Sequence, residues 1–327
     1  MPMMSDSQPG EDKPVVMMIA GPTASGKSGL AVAVAQEWGG RVINADSMQV
    51  YRELALLTAR PGAAEMEAAP HRLYGVLSGA EVCSAGRWRA LALAEVEAAL
   101  AAGQLPILVG GTGLYLKAFE EGLNEIPDIP AQIRSAARAE LAEIGSPAFH
   151  ARLAERDAVM AGRLQPADSQ RLLRAWEVLV ATGRSLADWQ ATPTTPAPYR
   201  FAKLCLLPPR PAVYAACDAR LEAMVGLGVL EEVAALLALG LDPALPVMKA
   251  VGVPEFAAYL AGETSLETAL ARAQQATRRY AKRQMTWLRH QYLGNDPTVS
   301  VIETQYCESQ RVETFAKIRQ NLLTGPE

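Results

Sequence analysis

Residues 15–40, VVMMIAGPTASGKSGLAVAVAQEWGG, place a short apolar run, a glycine-bearing turn and an alanine-rich stretch in direct succession. A continuous apolar run of this length reads as a strand buried on both faces of a parallel sheet. SGLAVAVAQEWG reads as the helix that follows, closed by Gly39 and Gly40. Between the two, Gly21, Gly26, Lys27 and Ser28 satisfy G-x-x-x-x-G-K-[ST] in the strand–loop–helix context that the pattern needs. Glycines let the backbone wrap an anion with its N–H groups, and the helix N-terminus adds partial positive charge. Lys27 can reach terminal phosphates, and the Ser28 hydroxyl can ligate magnesium. The alternative is a glycine-rich turn without a ligand; strand, loop, lysine, hydroxyl and helix in order favour phosphate.

Working outward, RVIN (41–44), RLYGV (72–76), PILVG (106–110) and AKLCLL (202–207) are further strand candidates, and GRWRALALAEVEAALAAG (86–103) is a helix candidate. This alternation predicts an α/β fold, a P-loop-type doubly wound parallel sheet. Between NEIPDIP (124–130) and TPTTPAP (192–198) the character changes. These proline-rich points bracket AQIRSAARAELAEI and SQRLLRAWEVLVATG, which have helical periodicity. The expected organisation is a loose tail at 1–14 and a P-loop core at 15–123 and 200–292, helical from 212. A small helical domain is inserted at 124–199, and an irregular, variable tail occupies 293–327.

Half of the 327 residues are apolar, enough for a sizeable core. Thirty-one basic against thirty-five acidic residues give a net charge of −4, which argues against a globally basic nucleic-acid binder and leaves local patches open. Cys83, Cys205, Cys217 and Cys307 show no C-x-x-C spacing, so neither a zinc site nor a disulfide framework is suggested. The N-terminus lacks a basic start with an apolar run behind it, and no stretch of about 18 apolar residues occurs. The expectation is a soluble, cytoplasmic protein.

Enzymes that consume ATP or GTP usually carry a second strand ending in an aspartate that holds magnesium. Here LPILVGGTGLYLKA (105–118) ends its strand in Gly-Gly-Thr-Gly, which weakens hydrolysis without excluding kinase chemistry. Asp46 and Ser47, in INADSMQVYRELALLTARP (43–61), fall just past a strand end, on the edge where open parallel sheets bind ligands. Helix N-capping is an equal reading of them from spacing alone. From Thr268 to Asn295 there is no acidic residue, while Arg272, Arg278, Arg279, Lys282, Arg283 and Arg289 alternate with Tyr280, Trp287 and Tyr292. A basic helix with aromatics suits phosphate contact and base stacking. The other reading is a solvated helix whose aromatics face the core.

GPTASGKS (21–28), INADSMQVYRELALLTARP, APHRLYGV (69–76), PILVGGTGLYLKAFEEGL (106–123), DSQRLLRAWEV (168–178) and TRRYAKRQMTWLR (277–289) occur in this order. Together they resemble the tRNA dimethylallyltransferases, or tRNA isopentenyltransferases, over about residues 15–292. The resemblance implies transfer of the dimethylallyl group of dimethylallyl diphosphate to the exocyclic N6 of adenosine 37, beside the tRNA anticodon, with release of diphosphate. The phosphates would then be a substrate's leaving group. It further implies that Gly21, Thr23, Ala24, Ser25, Gly26, Lys27 and Ser28 hold the diphosphate, Ser28 through Mg2+, with Arg220 of CDARLEAM (217–224) and Thr23 assisting the reaction.

Asp46 is the implied general base. An ordinary carboxylate suffices, because the amine becomes acidic as the C–N bond forms. The implied tRNA contacts are Asp46, Ser47, Met48, Gln49 and Thr112, then Gln170, Arg171, Leu172, Leu173 and Arg174, and finally Arg278, Lys282 and Arg283. Arg174 could instead pair with Glu177. The target base must leave its stack to reach such a site. The implied enzyme is a monomer in the cytoplasm. Departures from the family pattern are Leu57 for a glycine, Arg60 for a lysine, Val253 for a tyrosine and Ala167 for an asparagine, and no C-terminal zinc-finger pattern occurs. The runner-up is a P-loop small-molecule or nucleotide kinase; a nucleotide-binding switch is weaker.

Overall fold

Six parallel strands form one sheet in the computed structural model, which describes residues 13–294 and 296–323. They are β1 (Val15–Ala20), β2 (Gly40–Asn44), β3 (His71–Arg72), β4 (Leu105–Gly110), β5 (Arg200–Leu206) and β6 (Ser300–Ile302), in the order β3-β2-β4-β1-β5-β6. β1 pairs with β4 through Met17↔Ile107 and with β5 through Met17↔Ala202, so it is central. Its period-two alternation sorts side chains to opposite faces. Val16, Met18 and Ala20 enter one apolar cluster, and Met17 and Ile19 enter another. Both faces are therefore covered, as an all-parallel sheet requires.

The chain divides into two compact units, residues 1–120 with 197–327, and residues 121–196. Along the first stretch of the larger unit run α1 (Lys27–Trp38), α2 (Ala63–Ala68), α3 (Ala85–Ala101) and α4 (Gly113–Glu121). The smaller unit is helical throughout: α5 (Ala131–Arg156), α6 (Ala158–Gly162), α7 (Ser169–Thr182) and α8 (Leu186–Gln190). α5 is broken where Gly145 adopts φ 76° two residues before Pro147. Phe149, Leu153, Leu172, Ala175 and Val178 form its fully buried centre. The larger unit then continues with α9 (Arg210–Gly226), α10 (Val229–Ala238), α11 (Val253–Leu260), α12 (Leu266–Trp287) and α13 (Arg311–Leu323).

Two expectations are corrected. The strand expected at 72–76 stops at Arg72, because Leu73 and Gly75 take φ values of 64° and 63° and turn the chain. The N–H groups of Gly75 and Leu77 then bond the carbonyls of Gln49 and Val50 instead of extending the sheet. The stretch after 293, expected to be irregular, supplies β6 against β5 and the helix α13, whose Phe315 and Ile318 bury beside α1. A three-residue strand has too few positions to show a period, so only its pairing reveals it. Residues 1–12 of the expected N-terminal tail lie outside the described residues. No helix among the described residues is long and apolar enough to cross a membrane, and none of the four cysteines is in a disulfide.

Candidate active site

The central strand β1 delivers the chain into the loop Gly21–Gly26 and then into α1. Ala24 and Gly26 both take left-handed conformations, φ 61° and 85°, which curl the loop in front of the helix N-terminus. Lys27 folds back and its Nζ donates to the Pro22 carbonyl at 3.2 Å. Burial pushes the Lys27 ammonium down to about 8, against the nearby Asp46 charge, with Arg220 adding to the depression. The loop is braced from behind by the C-terminal segment: Gln305 Nε2 donates to the Ala24 carbonyl at 2.9 Å and the Tyr306 N–H to the Ser25 carbonyl at 3.2 Å. A Cβ at Gly26 would stand 2.6 Å from the Tyr306 carbonyl oxygen, so this close approach demands glycine.

β2 ends in Asn44, fully buried, which organises the next turn. Its Oδ1 accepts from the Asp46 N–H at 2.8 Å, and its Nδ2 donates to the carbonyls of Asp46 and Leu73. Trp88 of α3, fully buried and stacked on Tyr115, donates Nε1–H to the Asn44 carbonyl at 2.8 Å. The Asp46 carboxylate caps the turn through Oδ1, which accepts from the N–H groups of Met48 (2.9 Å) and Gln49 (3.4 Å). No helix starts there, so the capping reading holds for a turn only. Thr112, from the Gly-Gly-Thr-Gly stretch after β4, accepts the Ser47 N–H on its Oγ1 at 3.0 Å. Gln49 donates Nε2–H to the Thr58 and Ala59 carbonyls.

Arg220, on α9, donates to Thr23 Oγ1 at 2.5 Å, and burial lowers its pKa from the ordinary guanidinium value. Two cavities meet here. One, of about 370 Å³, is lined by Met48, Leu57, Leu221, Tyr280 and Arg283 among others; the second, of about 420 Å³, is lined by the loop from Ala24 to Gly29 with Gln49 and Arg60. Thr23, Asp46, Thr58, Arg220 and Met224 line both and form the wall between them. The cavity lined by the loop thus abuts a partly apolar chamber, with the Asp46 carboxylate and the Arg220 guanidinium at the junction.

The structure treats the remaining candidates differently. Lys282 and Arg283 are exposed on α12, Arg283 lying over the Tyr280 ring at 5.7 Å. Arg278 is instead committed to Asp218 of α9, its Nη1 standing 2.7 Å from each carboxylate oxygen. Trp287 fits against Gly113, where a Cβ would meet the indole at 2.1 Å, so this aromatic belongs to the interior. In the smaller unit Gln170 and Arg171 are exposed, while Arg174 is half-buried with its pKa lowered by burial, offset in part by Glu177. Leu172 and Leu173 face the core of that unit, so they position α7 and offer no surface to a ligand.

Among the departures, Leu57 packs on Gly252, where a Cβ would lie 2.7 Å from its Cδ1, and Arg60 donates to the Tyr51 carbonyl at 3.3 Å. Several positioning residues escaped the sequence reading. Glu232 of α10 accepts the N–H groups of Ala55, Leu56 and Leu57 within 2.8 Å and so holds the turn that carries Thr58. An acidic residue in a helix gives no local sign of such a role. Gln284 did leave a sign: it falls on the inward stripe of α12 with Ala273, Thr277 and Ala281, where an amide is out of place.

Residues 49–291 match the protein family described as IPP transferase. The chain is 58% identical over 311 residues to a tRNA dimethylallyltransferase of Paramagnetospirillum magneticum, covering 95% of this chain and 98% of that protein. It is 58% identical over 312 residues to the Rhodospirillum rubrum tRNA dimethylallyltransferase, with 95% and 96% covered. Among solved structures, a Bacillus halodurans tRNA isopentenylpyrophosphate transferase aligns with a TM-score of 0.66 at 30% identity, over 95% of this chain and 98% of that one. A eukaryotic dimethylallyltransferase acting on tRNA aligns with a TM-score of 0.79 at 25% identity, over 96% and 81%.

Proposed function

The chain belongs to the IPP transferase family, and we propose that it carries out that family's reaction at the junction of its two cavities. It is a transferase that moves a dimethylallyl group onto adenosine 37 of tRNA. The observation that supports placing the reaction is the shared wall of Thr23, Asp46 and Arg220 between an anion cradle and a second chamber. The loop amides from Ala24 to Ser28, which line the second cavity, hold the diphosphate of dimethylallyl diphosphate together with the Lys27 side chain. The second chamber takes the adenine, extruded from the anticodon loop for about a few kcal/mol.

In the transfer, the bond from the allylic carbon to the bridging diphosphate oxygen breaks and the bond from that carbon to N6 forms. Negative charge grows on the departing oxygen, where Arg220, Lys27 and the helix N-terminus stabilise it. The N6 proton passes to Asp46. Its Oδ1 is occupied by the turn, and the described residues form no hydrogen bond to Oδ2, so Oδ2 is the accepting atom. Magnesium suits the donor set: it retains waters and binds through one or two protein oxygens plus substrate phosphates, and no cluster of three His, Cys, Asp or Glu residues exists among the described residues to form a cage. Ser28 would hold it, and it would neutralise the diphosphate. A monomeric enzyme of the cytoplasm is part of the same proposal.

Incubation with undermodified tRNA and labelled dimethylallyl diphosphate, with and without ATP, tests the assignment. Label reaches the tRNA at the same rate in both arms. Phosphorylation of a small molecule from ATP, with no label in tRNA, would establish the kinase instead.

The anticodon stem–loop is proposed to lie along the exposed cations of α12; Gln170, Arg171 and Arg174 of the smaller unit are proposed as tRNA contacts in their own right. Ser47, Met48, Gln49 and Thr112 shape the turn beside the base. Arg283→Glu is expected to weaken tRNA binding and to reduce the slope of log K against log salt by about one. An unchanged slope removes α12 from the RNA surface. Arg283 is the better probe than Arg278, whose reversal would leave two like charges facing at Asp218.

A further inference from the structure

Gln284 is 6% exposed and lies on the face of α12 that packs into the larger unit. A primary amide in such a place is unfavourable unless both of its ends are paired. Both are. Oε1 accepts the Thr23 N–H at 2.8 Å, and Nε2 donates to the Gly111 carbonyl at 2.9 Å. The partners dictate the orientation, because a backbone N–H can only donate and a carbonyl can only accept. A Cβ at Gly111 would sit 2.2 Å from Nε2, so the glycine is what admits the amide.

The two ends of this bridge lie in the two halves of the site. Thr23 is the loop residue whose hydroxyl takes the Arg220 guanidinium. Gly111 immediately precedes Thr112, whose hydroxyl holds the Ser47 N–H beside Asp46. The Thr23 amide is engaged by Gln284 and is therefore withdrawn from the set of loop amides that face an anion. We propose that Gln284 is a positioning residue for the transfer step: it fixes the distance between the diphosphate cradle and the turn that carries the base. It lines neither cavity. The inference rests on the reaction assigned above, since the two halves must serve one displacement for their spacing to matter.

Two variants test it. Gln284→Met keeps the length and the packing and removes both hydrogen bonds. Gln284→Glu keeps the shape and sets a carboxylate oxygen against the Gly111 carbonyl. Misplacement of about 1 Å reduces rate on the order of 100-fold. The expected result for Gln284→Met is a kcat lower by about that factor, with tRNA affinity and far-UV circular dichroism unchanged.

For Gln284→Glu the decisive readout is the pH profile divided by that of wild type. The buried carboxyl, lacking a donor, has a raised pKa and regains its donor when protonated. The ratio is therefore highest at acid pH and falls as pH rises. Turnover of Gln284→Met within threefold of wild type overturns the proposal. So does loss of fold or of tRNA affinity in either variant, which would make the residue a packing element, and so does a flat ratio. Wild-type protein that fails to prenylate tRNA would instead remove the reaction itself, before any variant is compared.

Discussion

Asp46→Asn is expected to lower single-turnover transfer by about a thousandfold, the usual scale for loss of a general base, while tRNA binds within about twofold of wild type. The expectation separates two duties of one side chain. The asparagine carbonyl can replace Oδ1 as acceptor for the Met48 and Gln49 N–H groups, so the turn survives. Asn44 and Trp88 also hold that turn from outside the substituted side chain. What the amide cannot do is accept the N6 proton at Oδ2. Rapid-quench transfer with labelled dimethylallyl diphosphate measures the first quantity, and filter binding of unmodified tRNA measures the second. Transfer at a near-native rate would take the proton to some other group and leave Asp46 a purely structural cap.

The second large effect belongs to the cradle. Lys27→Met is expected to reduce transfer by about 100- to 1,000-fold, as for the loss of one preorganised donor to developing charge. Arg220→Lys should recover little of the loss seen in Arg220→Ala, because a point charge cannot reproduce the planar fork that reaches Thr23 and a leaving oxygen together. The pH dependence has a definite sign. Burial holds the Lys27 ammonium down at about 8 in the free protein, and the diphosphate binds the protonated form. Affinity for dimethylallyl diphosphate is thus full below that value and falls as pH rises through it. Lys27→Arg does not titrate in this range, so the ratio of wild-type to Lys27→Arg affinity, measured by calorimetry, isolates the lysine. A ratio constant from pH 7 to about 9.5 would remove Lys27 from the cradle.

Much of this site was legible because its parts are local. The G-x-x-x-x-G-K-[ST] pattern needs only consecutive residues, and β1, the loop and α1 follow one another without interruption. Asp46 was found by its place past β2, and the strands at 41, 106 and 202 by runs of apolar residues within one or two positions of their observed limits. Charge counting along α12 located its cations correctly but could not sort them. Arg278 and Arg283 look alike in the chain, yet one is paired with Asp218, 60 residues away, and the other is exposed. The same blindness let Leu172 and Leu173 stand beside Arg171 and Arg174 as equals, although helical geometry turns the leucines inward.

By itself the sequence determined the class of fold, the glycine-bearing loop between β1 and α1, the carboxylate past β2 and the region of positive charge, since each is a pattern among near neighbours that backbone geometry converts directly into position. The tertiary structure alone decided how those pieces are spaced. Thr23 and Gln284 are 261 residues apart, Arg220 and Thr23 are 197 apart, and Glu232 reaches back 175 residues to Leu57. A hydrogen bond between such residues depends on the packing of whole elements, and no periodicity or local spacing records which side chains that packing brings within 3 Å.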